Sequence, residues 1–339
     1  MKKYFLIILG LVLVCNPNIQ AQGVTKVGTT AASFLGIDVG PRANAMGSAS
    51  VSVANDASAM YWNPAGIAKL NNVDAMFSNA RWIADLSFNY AGIVLPLGDF
   101  GNVGVNATFL SMGEMERTTV AQPEGTGELF DAASYAFGLT YARNLTDQFS
   151  IGINAKYINE RLYNSNAGGF AIDVGALFDT RFHGIMLGMS ISNYGSKMQL
   201  DGRDLQIQHD IDPGENGNNA NINARLQTDN FDLPLMFRVG VSMDVLKGAL
   251  NSNLIVSADA LHPSDDVESL NVGAEYTFND MISLRAGYKG LAAKDTEQGL
   301  NYGAGLHYVI AGTIMNFDYA YIDFGALNAV HMFSIRLGF

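Results

Sequence analysis

The sequence is poor in several features that other classes of protein require. It contains a single cysteine, Cys15, and only 15% of its 339 residues are charged. No internal run of about 18 apolar residues is present, which argues against a helical membrane span. Because cysteine is nearly absent, a disulfide framework or a cysteine-based zinc site is not expected either.

Basic residues are also few. The 20 lysines and arginines are outnumbered by 32 aspartates and glutamates, and the formal net charge is −12. A nucleic-acid-binding protein needs a basic face for its phosphate contacts, so this function class is excluded. In contrast, the chain has 36 glycines, and aromatic residues make up 10% of it. Low charge with abundant glycine and aromatic residues is typical of strands that face lipid on one side.

The first residues have the pattern of an export signal. Two basic residues, Lys2 and Lys3, precede an apolar run over residues 4–14, and a small residue follows at Ala21. This order is typical of a secretory signal peptide that is cleaved after export. We place the signal peptide at residues 1–21.

Cys15 allows an alternative interpretation of the leader, as a lipoprotein signal. Against it, Val14 occupies the position where such a signal has a small residue. If cleavage instead leaves Gln22 as the first residue, the mature chain contains no cysteine.

After the leader and a glycine-rich segment, apolar residues alternate with polar or small ones, and turn signals separate the segments. In one segment Phe149, Ile151 and Ile153 alternate with Ser150 and Gly152. We count about fourteen such segments, and an even number is the rule for bacterial outer-membrane barrels. The polar side carries mostly glycine, serine, asparagine and isolated charges, which fits a lumen better than the surface of a soluble β-sandwich.

The connections between the segments alternate in length. Tight turns, for example at residues 98–102 and 279–280, alternate with longer or more polar connections. The longer connections are predicted at residues 113–130, 163–167, 193–232, 262–268, 290–298 and 325–329. Short turns on one side and long loops on the other are typical of outer-membrane barrels. The C-terminal Phe339 fits the kind of last strand that barrel-insertion machinery recognises. We therefore predict an all-β fold, a transmembrane antiparallel β-barrel of about 14 strands over residues 73–339.

In this interpretation the apolar side of each strand faces lipid, for example Phe88, Tyr90 and Val94. A few larger apolar residues would instead face the lumen, and they are Leu110, Met112, Ile158, Met186 and Met236. A transported apolar molecule would need residues of this kind.

Residues with catalytic or metal-binding chemistry are sparse. The five histidines show no metal-ligand spacing on one strand or helix, and neither a Gly-x-Ser-x-Gly elbow nor a phosphate-binding loop is present. Residues 210–216 resemble a calcium loop only loosely, because their proline and glycine positions depart from the EF-hand pattern. The inward-facing charges are Lys156, Asp173, Arg238, Asp244, Glu275, Arg285, Lys289 and Arg336. A salt-bridged lumen wall explains them more simply than an active site, so we predict no enzyme, no metal and no cofactor.

The segment at residues 22–72 lacks strand alternation and predicts a small plug of short helices. Asp56 is expected to cap a first helix over the following six residues. Asn63 is expected to cap a second one, because asparagine accepts free backbone amides and the fixed φ of Pro64 suits the first helical position. Trp62 and its neighbours need burial, which fits a compact segment inserted into the barrel.

The stretch from Asn55 to Gly66, NDASAMYWNPAG, resembles the plug motif of FadL-type outer-membrane proteins. The segments at residues 26–35 and 42–47 narrow this to a resemblance to the PorV/PorQ family of Bacteroidetes-type bacteria. The resemblance implies that the N-terminal segment folds inside the barrel. The plug residues it singles out are Asp56, Trp62, Asn63, Pro64, Ala65 and Gly66.

The resemblance also implies two possible functions. Members of the PorV/PorQ family serve the type IX secretion system, one by binding the C-terminal signal domain of cargo and carrying it from the translocon to the cell surface. The first hypothesis is therefore a non-enzymatic adaptor in the outer membrane of a Gram-negative bacterium of the Bacteroidetes type. The wider superfamily passes hydrophobic molecules through the barrel wall. The alternative is thus a FadL-like transporter with a hydrophobic ligand in the lumen.

The adaptor hypothesis places protein partners, either translocon or secreted cargo, at the long connections of residues 113–130 and 193–232. The second connection carries acidic residues that could recruit basic partners, namely Asp201, Asp204, Asp210, Asp212 and Glu215. A solvated loop that only keeps the rim soluble is the simpler alternative. The transporter hypothesis needs an apolar lumen pocket and a lateral exit, so a sealed barrel would argue against it. Outer-membrane lipids are expected partners in both cases.

Overall fold

The computed structural model describes residues 28–214, 221–247, 251–291, 293 and 298–339. The predicted signal peptide therefore lies outside the described residues, and so does Glu215. From Asp74 onward, the alternating segments form fourteen long strands. The strands are β1 (Asp74–Arg81), β2 (Ser87–Pro96), β3 (Asn102–Ser111), β4 (Ala132–Asn144), β5 (Phe149–Leu162), β6 (Ser165–Asp179), β7 (Ile185–Gly195), β8 (Met236–Asp244), β9 (Ser252–Pro263), β10 (Ser269–Phe278), β11 (Ile282–Leu291), β12 (Leu300–Ile310), β13 (Thr313–Asp323) and β14 (Ala329–Gly338).

These strands close into a single barrel. Each strand pairs antiparallel with the next one along the chain, and β14 pairs back onto β1 from Asp74↔Gly338 to Arg81↔His331. Closure satisfies the backbone groups that an open sheet edge would leave exposed to lipid. The predicted antiparallel barrel of 14 strands is confirmed.

The two ends of the barrel differ in their connections, as predicted. One end, which we call the short-turn end, carries tight connections such as residues 279–281 and 311–312. The other, the long-loop end, carries the connections at residues 112–131 and 196–235. The prediction of a longer connection at 163–167 was wrong. Ser165 already pairs with Leu162, so this hairpin turns through two residues only.

The lipid-facing side of most strands is apolar, as the alternation predicted. On β5, for example, Ile151 and Ile153 are exposed while Ser150 and Asn154 face inward and are buried. Strand β2 departs from this rule, because Phe88, Tyr90 and Val94 point into the barrel and are buried there. The reason is local: these side chains pack against the N-terminal segment, whose own apolar residues need partners.

The described residues before β1, from residue 28 onward, form only short helical pieces. They are α1 (Pro41–Ala45), α2 (Ala59–Trp62) and the 3-10 helices Ser33–Gly36 and Pro64–Lys69. In the described part of the chain, no helix has both the length and the apolar character needed to cross a membrane.

The apolar core of the molecule lies inside the barrel rather than between two layers. Each of the three buried clusters combines residues of the N-terminal segment with inward-facing wall residues. In one of them Phe34 and Leu35 pack with Ile158 of β5 and with Met198 and Leu233 from the β7–β8 connection. The predicted plug of short helices is therefore part of the observed fold.

Candidate functional site: the plug and the loops at the mouth

The N-terminal segment crosses the barrel from the long-loop end to the short-turn end. At the long-loop end the Ala31 amide donates to the Asp232 carbonyl at 2.9 Å, and the Thr30 hydroxyl donates to the Asp265 carboxylate at 2.6 Å. At the short-turn end the segment continues directly into β1. We call residues 28–73 the plug.

Asn63 ties the plug to itself and to the barrel wall. Its side-chain oxygen accepts the Ala65 amide at 3.2 Å and thereby caps the 3-10 helix Pro64–Lys69. Its Nδ2 donates to the Val51 carbonyl at 2.9 Å and to the Ala176 carbonyl of β6 at 3.0 Å. A single buried side chain thus provides partners for three backbone groups, two of them remote in sequence.

Glycines of the barrel wall make room for this turn of the plug. A Cβ atom at Gly175 would lie 2.0 Å from Oδ1 of Asn63, and one at Gly152 would lie 2.4 Å from the carbonyl carbon of Pro64. Any larger residue at either position would therefore overlap the plug. The Asn-Pro step and the two wall glycines form one complementary contact.

The same close fit recurs elsewhere in the barrel. A Cβ atom at Gly273 would lie 2.2 Å from the Met46 carbonyl oxygen, and one at Gly287 would lie 2.1 Å from the Met46 carbonyl carbon. Within the plug, a Cβ at Gly66 would lie 2.3 Å from the Ala54 carbonyl oxygen. Backbone rather than flexible side chains occupies these positions, so the plug cannot slide without rearranging the wall around it.

Trp62 is the largest fully buried side chain of the plug. Its indole Nε1 donates to the Val39 carbonyl at 2.9 Å, and the ring packs edge-on against Tyr61. The guanidinium of Arg238, from β8, lies 5.4 Å above the Trp62 ring centroid, within cation–π distance. The plug motif is thus anchored to the wall by a ring contact as well as by hydrogen bonds.

Asp56 closes the turn that precedes α2. Its Oδ1 accepts the Ser58 amide at 2.8 Å and the Ser58 hydroxyl at 2.5 Å. The helix begins at Ala59, two residues later than the sequence predicted, because this turn comes first. Burial alone would raise the pKa of the Asp56 carboxyl, but the guanidinium groups of Arg336 and Arg42 hold it below its ordinary value of 3.8.

Ion pairs connect the plug to the wall near the short-turn end. Nε and Nη2 of Arg42 donate to the two oxygens of Glu275 on β10, at 2.9 and 2.8 Å. Glu275 also accepts from Arg285 at 2.5 Å, and Arg285 donates in turn to Asp318 at 2.6 Å. The pairing of buried opposite charges is what allows such groups inside a barrel.

The prediction of a salt-bridged lumen wall is confirmed for six of the eight inward charges. Besides Glu275 and Arg285, the pairs are Lys156–Asp173, Lys289–Asp38 and Arg336–Asp74. Arg238 instead stacks on Trp62, and Asp244 accepts the backbone amides of Leu246 and Lys247 in a turn.

A cavity of about 450 Å³ opens beside this network at the short-turn end. It is lined by charged and polar groups, among them Arg42, Asp56, Arg285 and Asp318. Such a lining suits water and ions rather than an apolar molecule. The apolar residues expected in the lumen do not line this cavity, and Ile158, for instance, is fully buried against the plug.

The acidic residues predicted as a partner-binding loop lie on the β7–β8 connection but do not converge on one point. Asp201 forms an exposed ion pair with Arg225 at 2.6 Å, and Asp204 accepts from Asn164 at 3.2 Å. Asp210 and Asp212 lie further along, where the Asp212 amide donates to Asp210 at 3.1 Å. Among the described residues, no group of three histidine, cysteine or acidic side chains is placed to hold a metal ion.

The wall glycines are functional partners of the plug that the sequence did not single out. They occur at alternate positions of predicted strands, where they read as ordinary small lumen residues. On β5 a weak signal was present, because Gly152 lies between the inward-facing Ser150 and Asn154. On β6 Gly175 stands among small inward-facing residues such as Gly169 and Ala171 and gives no such signal. What they contact could not be inferred without the register of the strands.

A family model described as "Type IX secretion system protein PorV" matches residues 20–247, about two thirds of the chain. A search of curated protein sequences returned no significant match.

Solved structures of similar fold include two toluene transporters and a FadL homologue. The toluene transporter TbuX of Ralstonia pickettii aligns with 88% of this chain and 97% of its own, at 13% identity and a TM-score of 0.53. The toluene transporter TodX of Pseudomonas putida covers the same shares at 11% identity and a TM-score of 0.55. A FadL homologue of Pseudomonas aeruginosa covers 89% and 98% at 13% identity and a TM-score of 0.52. At these identities the likeness concerns the fold alone.

Proposed function

Because the chain belongs to the PorV family of type IX secretion system proteins, we propose that it is an outer-membrane adaptor that binds proteins at its long-loop end. The partners are the translocon or the secreted cargo of that system. The protein is non-enzymatic in this proposal, and its barrel serves as a rigid membrane anchor. In outer-membrane barrels the long loops face the cell exterior and the short turns face the periplasm.

The observation that supports this proposal most is the fit of the plug. Gly152 and Gly175 leave no room for a Cβ atom beside the Asn63–Pro64 step, because such an atom would lie 2.4 Å from the Pro64 carbonyl carbon at Gly152 and 2.0 Å from Asn63 Oδ1 at Gly175. A plug held by backbone contacts, by the Arg42–Glu275 ion pair and by Trp62 makes the lumen unsuited to passage. The surface left for recognition is the mouth.

The connections at the long-loop end, which we call the mouth, contain regular secondary structure. The connection at residues 112–131 contains a short strand pair, Met115–Glu116 with Leu129–Phe130, and its Arg117 pairs with Glu128 at 2.6 Å. Strands β4 to β6, with 13 to 15 residues, are longer than β1, with 8. An asymmetric, partly rigid rim is a suitable docking surface, because less conformational entropy is lost on binding.

The alternative function, transport of small hydrophobic compounds, is favoured by the fold shared with the toluene transporters. It requires an apolar passage that reaches the lipid. The cavity at the short-turn end is instead lined by charged groups. A passage to the lipid also needs a gap between two strands, and β3, for example, is paired through ten residues with each of its neighbours, β2 and β4. The adaptor is therefore the preferred proposal.

The proposal is tested by isolating the protein from native outer membranes in mild detergent and analysing bound proteins and lipids by mass spectrometry. We expect type IX components, and purified cargo signal domain should bind the isolated barrel directly. A matched control is the same chain with residues 203–228 of the β7–β8 connection replaced by a short glycine-serine turn. This change keeps the part of the connection that lies next to the barrel. Recovery of lipid or hydrophobic compounds with no secretion component would overturn the proposal.

A further inference from the structure

The β7–β8 connection is a long β-ribbon rather than an irregular loop. Its base is the pair Met198–Gln199 with Asn230–Phe231, and its outer part is the pair Gln206–His209 with Ile222–Arg225. We call the residues 196–214 and 221–233 the ribbon. The base is fixed, because Met198 and Leu233 are buried against the plug.

The backbone register of the outer part identifies the groups that point away from the ribbon. The Leu226 amide donates to the Leu205 carbonyl at 2.8 Å, so these two residues form a hydrogen-bonded pair. In an antiparallel ladder such pairs alternate with pairs whose amides and carbonyls point outward. Gln208 therefore presents its backbone amide and carbonyl to one edge of the ribbon, and Asn223 and Arg225 present theirs to the other. The Gln206 carbonyl faces the same edge as Gln208, but the Gln206 amide already donates to the Arg203 carbonyl at the end of the 3-10 helix Arg203–Leu205.

The two faces of the ribbon also differ in polarity. Because cross-strand partners share a face, one side carries Leu205 with Leu226, Ile207 with Ala224 and His209 with Ile222. The other side carries only Gln206, Arg225, Gln208 and Asn223. The apolar side is incompletely covered, since Leu226 is 52% and Ile207 is 39% exposed.

An isolated two-stranded ribbon with open edges and an uncovered apolar face is marginally stable, and natural proteins usually cover such edges. The charge of the ribbon indicates what would cover it. Across its described residues, six aspartates stand against one lysine and two arginines. Three of these aspartates, Asp204, Asp210 and Asp212, flank the Gln206–His209 arm together with one basic residue, Arg203, whereas Arg225 lies on the other arm.

We propose that the edge formed by Gln206–His209 is a docking site for a β-strand of a protein partner, added antiparallel or parallel to the ribbon. The partner strand has basic residues beside it and apolar residues at alternate positions, which extend the apolar face of Ile207. Backbone hydrogen bonds to the amide and carbonyl of Gln208 and to the carbonyl of Gln206 supply affinity, and the flanking aspartates supply selectivity for basic strands. This inference rests on the proposed function, because it specifies how the adaptor holds its partner.

The test uses the full chain in detergent or nanodiscs and a purified cargo signal domain as the probe. Gln208→Pro removes the outward amide while leaving the hydrogen bonds within the ribbon intact, and proline is tolerated at such an edge position. We expect it to weaken binding about tenfold or more. Gln208→Ala, which keeps the amide, should bind within about twofold of the original chain, since only an exposed side chain is lost. On binding, the amide of Gln208 should become protected from hydrogen exchange.

Asn223→Pro is the matched control, because it makes the same change on the opposite edge. It should bind like the original chain. Equal loss in Gln208→Pro and Asn223→Pro would show that the ribbon as a whole, not its edge, matters, and would overturn the inference. Unchanged binding in Gln208→Pro would do the same while leaving the adaptor function intact. If the original chain itself fails to bind the domain, this inference is wrong. The adaptor proposal is wrong as well if no translocon component is recovered with the chain from native membranes.

Discussion

The plug and the ribbon are both excursions from the same barrel, yet their physical character is opposite. The plug is nearly all buried, is held by backbone contacts to wall glycines such as Gly273, and carries its charges in ion pairs with the wall. The outer ribbon is exposed on both arms and carries excess negative charge. The interior of this barrel is therefore suited to holding the plug in place, and its exposed mouth is suited to binding partners.

The largest effect is expected from Trp62→Ala in the plug. Removal of this fully buried ring should destabilise the protein by about 4 kcal/mol, because a large cavity would remain between plug and wall. Thermal unfolding in detergent and the heat-induced gel-mobility shift of the barrel measure it. The chain's other tryptophan, Trp82, is only partly buried at the mouth, so Trp82→Ala is the control. Its free energy of unfolding should fall by less than half as much. Equal losses would mean that the plug is no better packed than the rim.

The second effect concerns the wall glycines. Gly175→Ala places a Cβ 2.0 Å from Asn63 Oδ1 and should cost about 2–3 kcal/mol through overpacking. Gly168→Ala lies on the same strand, where the nearest atom to an added Cβ is 3.6 Å away, and should be neutral. The same unfolding measurement compares the two variants. A neutral Gly175→Ala would show that the plug can move away from the wall.

The third effect is a pH dependence that arises from the plug. The folded-state pKa of Asp56 lies below its ordinary value of 3.8, so its contribution to stability is complete above that value. It is lost as the pH falls through the lowered pKa. The unfolding temperature should therefore fall when the pH is lowered below about 4. The Asp56→Asn variant should be less stable at pH 7, but its unfolding temperature should fall less at acid pH. Asp212→Asn, on the exposed ribbon, should leave the profile unchanged. If the unfolding temperatures of Asp56→Asn and Asp212→Asn fall equally at acid pH, Asp56 does not have this role.

The smallest effect on stability is expected at the ribbon. The triple change Asp204→Asn, Asp210→Asn and Asp212→Asn should alter the free energy of unfolding by less than about 0.5 kcal/mol, because these groups are solvated. Binding of a basic signal domain should nevertheless weaken and lose much of its salt dependence. Isothermal titration at low and high salt measures both properties. A large loss of stability with unchanged binding would show that these aspartates stabilise the fold and do not bind the partner.

Much of the fold follows from periodicity. The alternation of Ile151 and Ile153 with small residues correctly predicted a barrel strand, because one face meets lipid and the other does not. The same rule failed at Phe88 and Tyr90, which face inward, since periodicity reveals two faces but not which one meets the plug. The turn at residues 163–164 was predicted too long because polar residues in a strand above the membrane resemble a loop.

The site was predictable where the chemistry is local. Asn63 followed by Pro64 predicted a capped helix start, and the structure has one. The contact of Asn63 with Ala176 depends on strand register and could not be read from composition. Likewise, the acidic residues from Asp201 to Asp212 were visible as a charged stretch, but their arrangement on a two-faced ribbon required the pairing of Gln206–His209 with Ile222–Arg225.

The most direct test of the account is hydrogen–deuterium exchange of the full chain in nanodiscs, with and without purified cargo signal domain, and separately with toluene. We predict that the plug core, residues 41–68, stays protected under all three conditions, and that added protection on binding the domain is confined to the mouth, above all to residues 206–209. Loss of protection in residues 41–68 on addition of toluene or of the domain would show that the plug moves and would contradict a fixed plug with a partner-binding mouth.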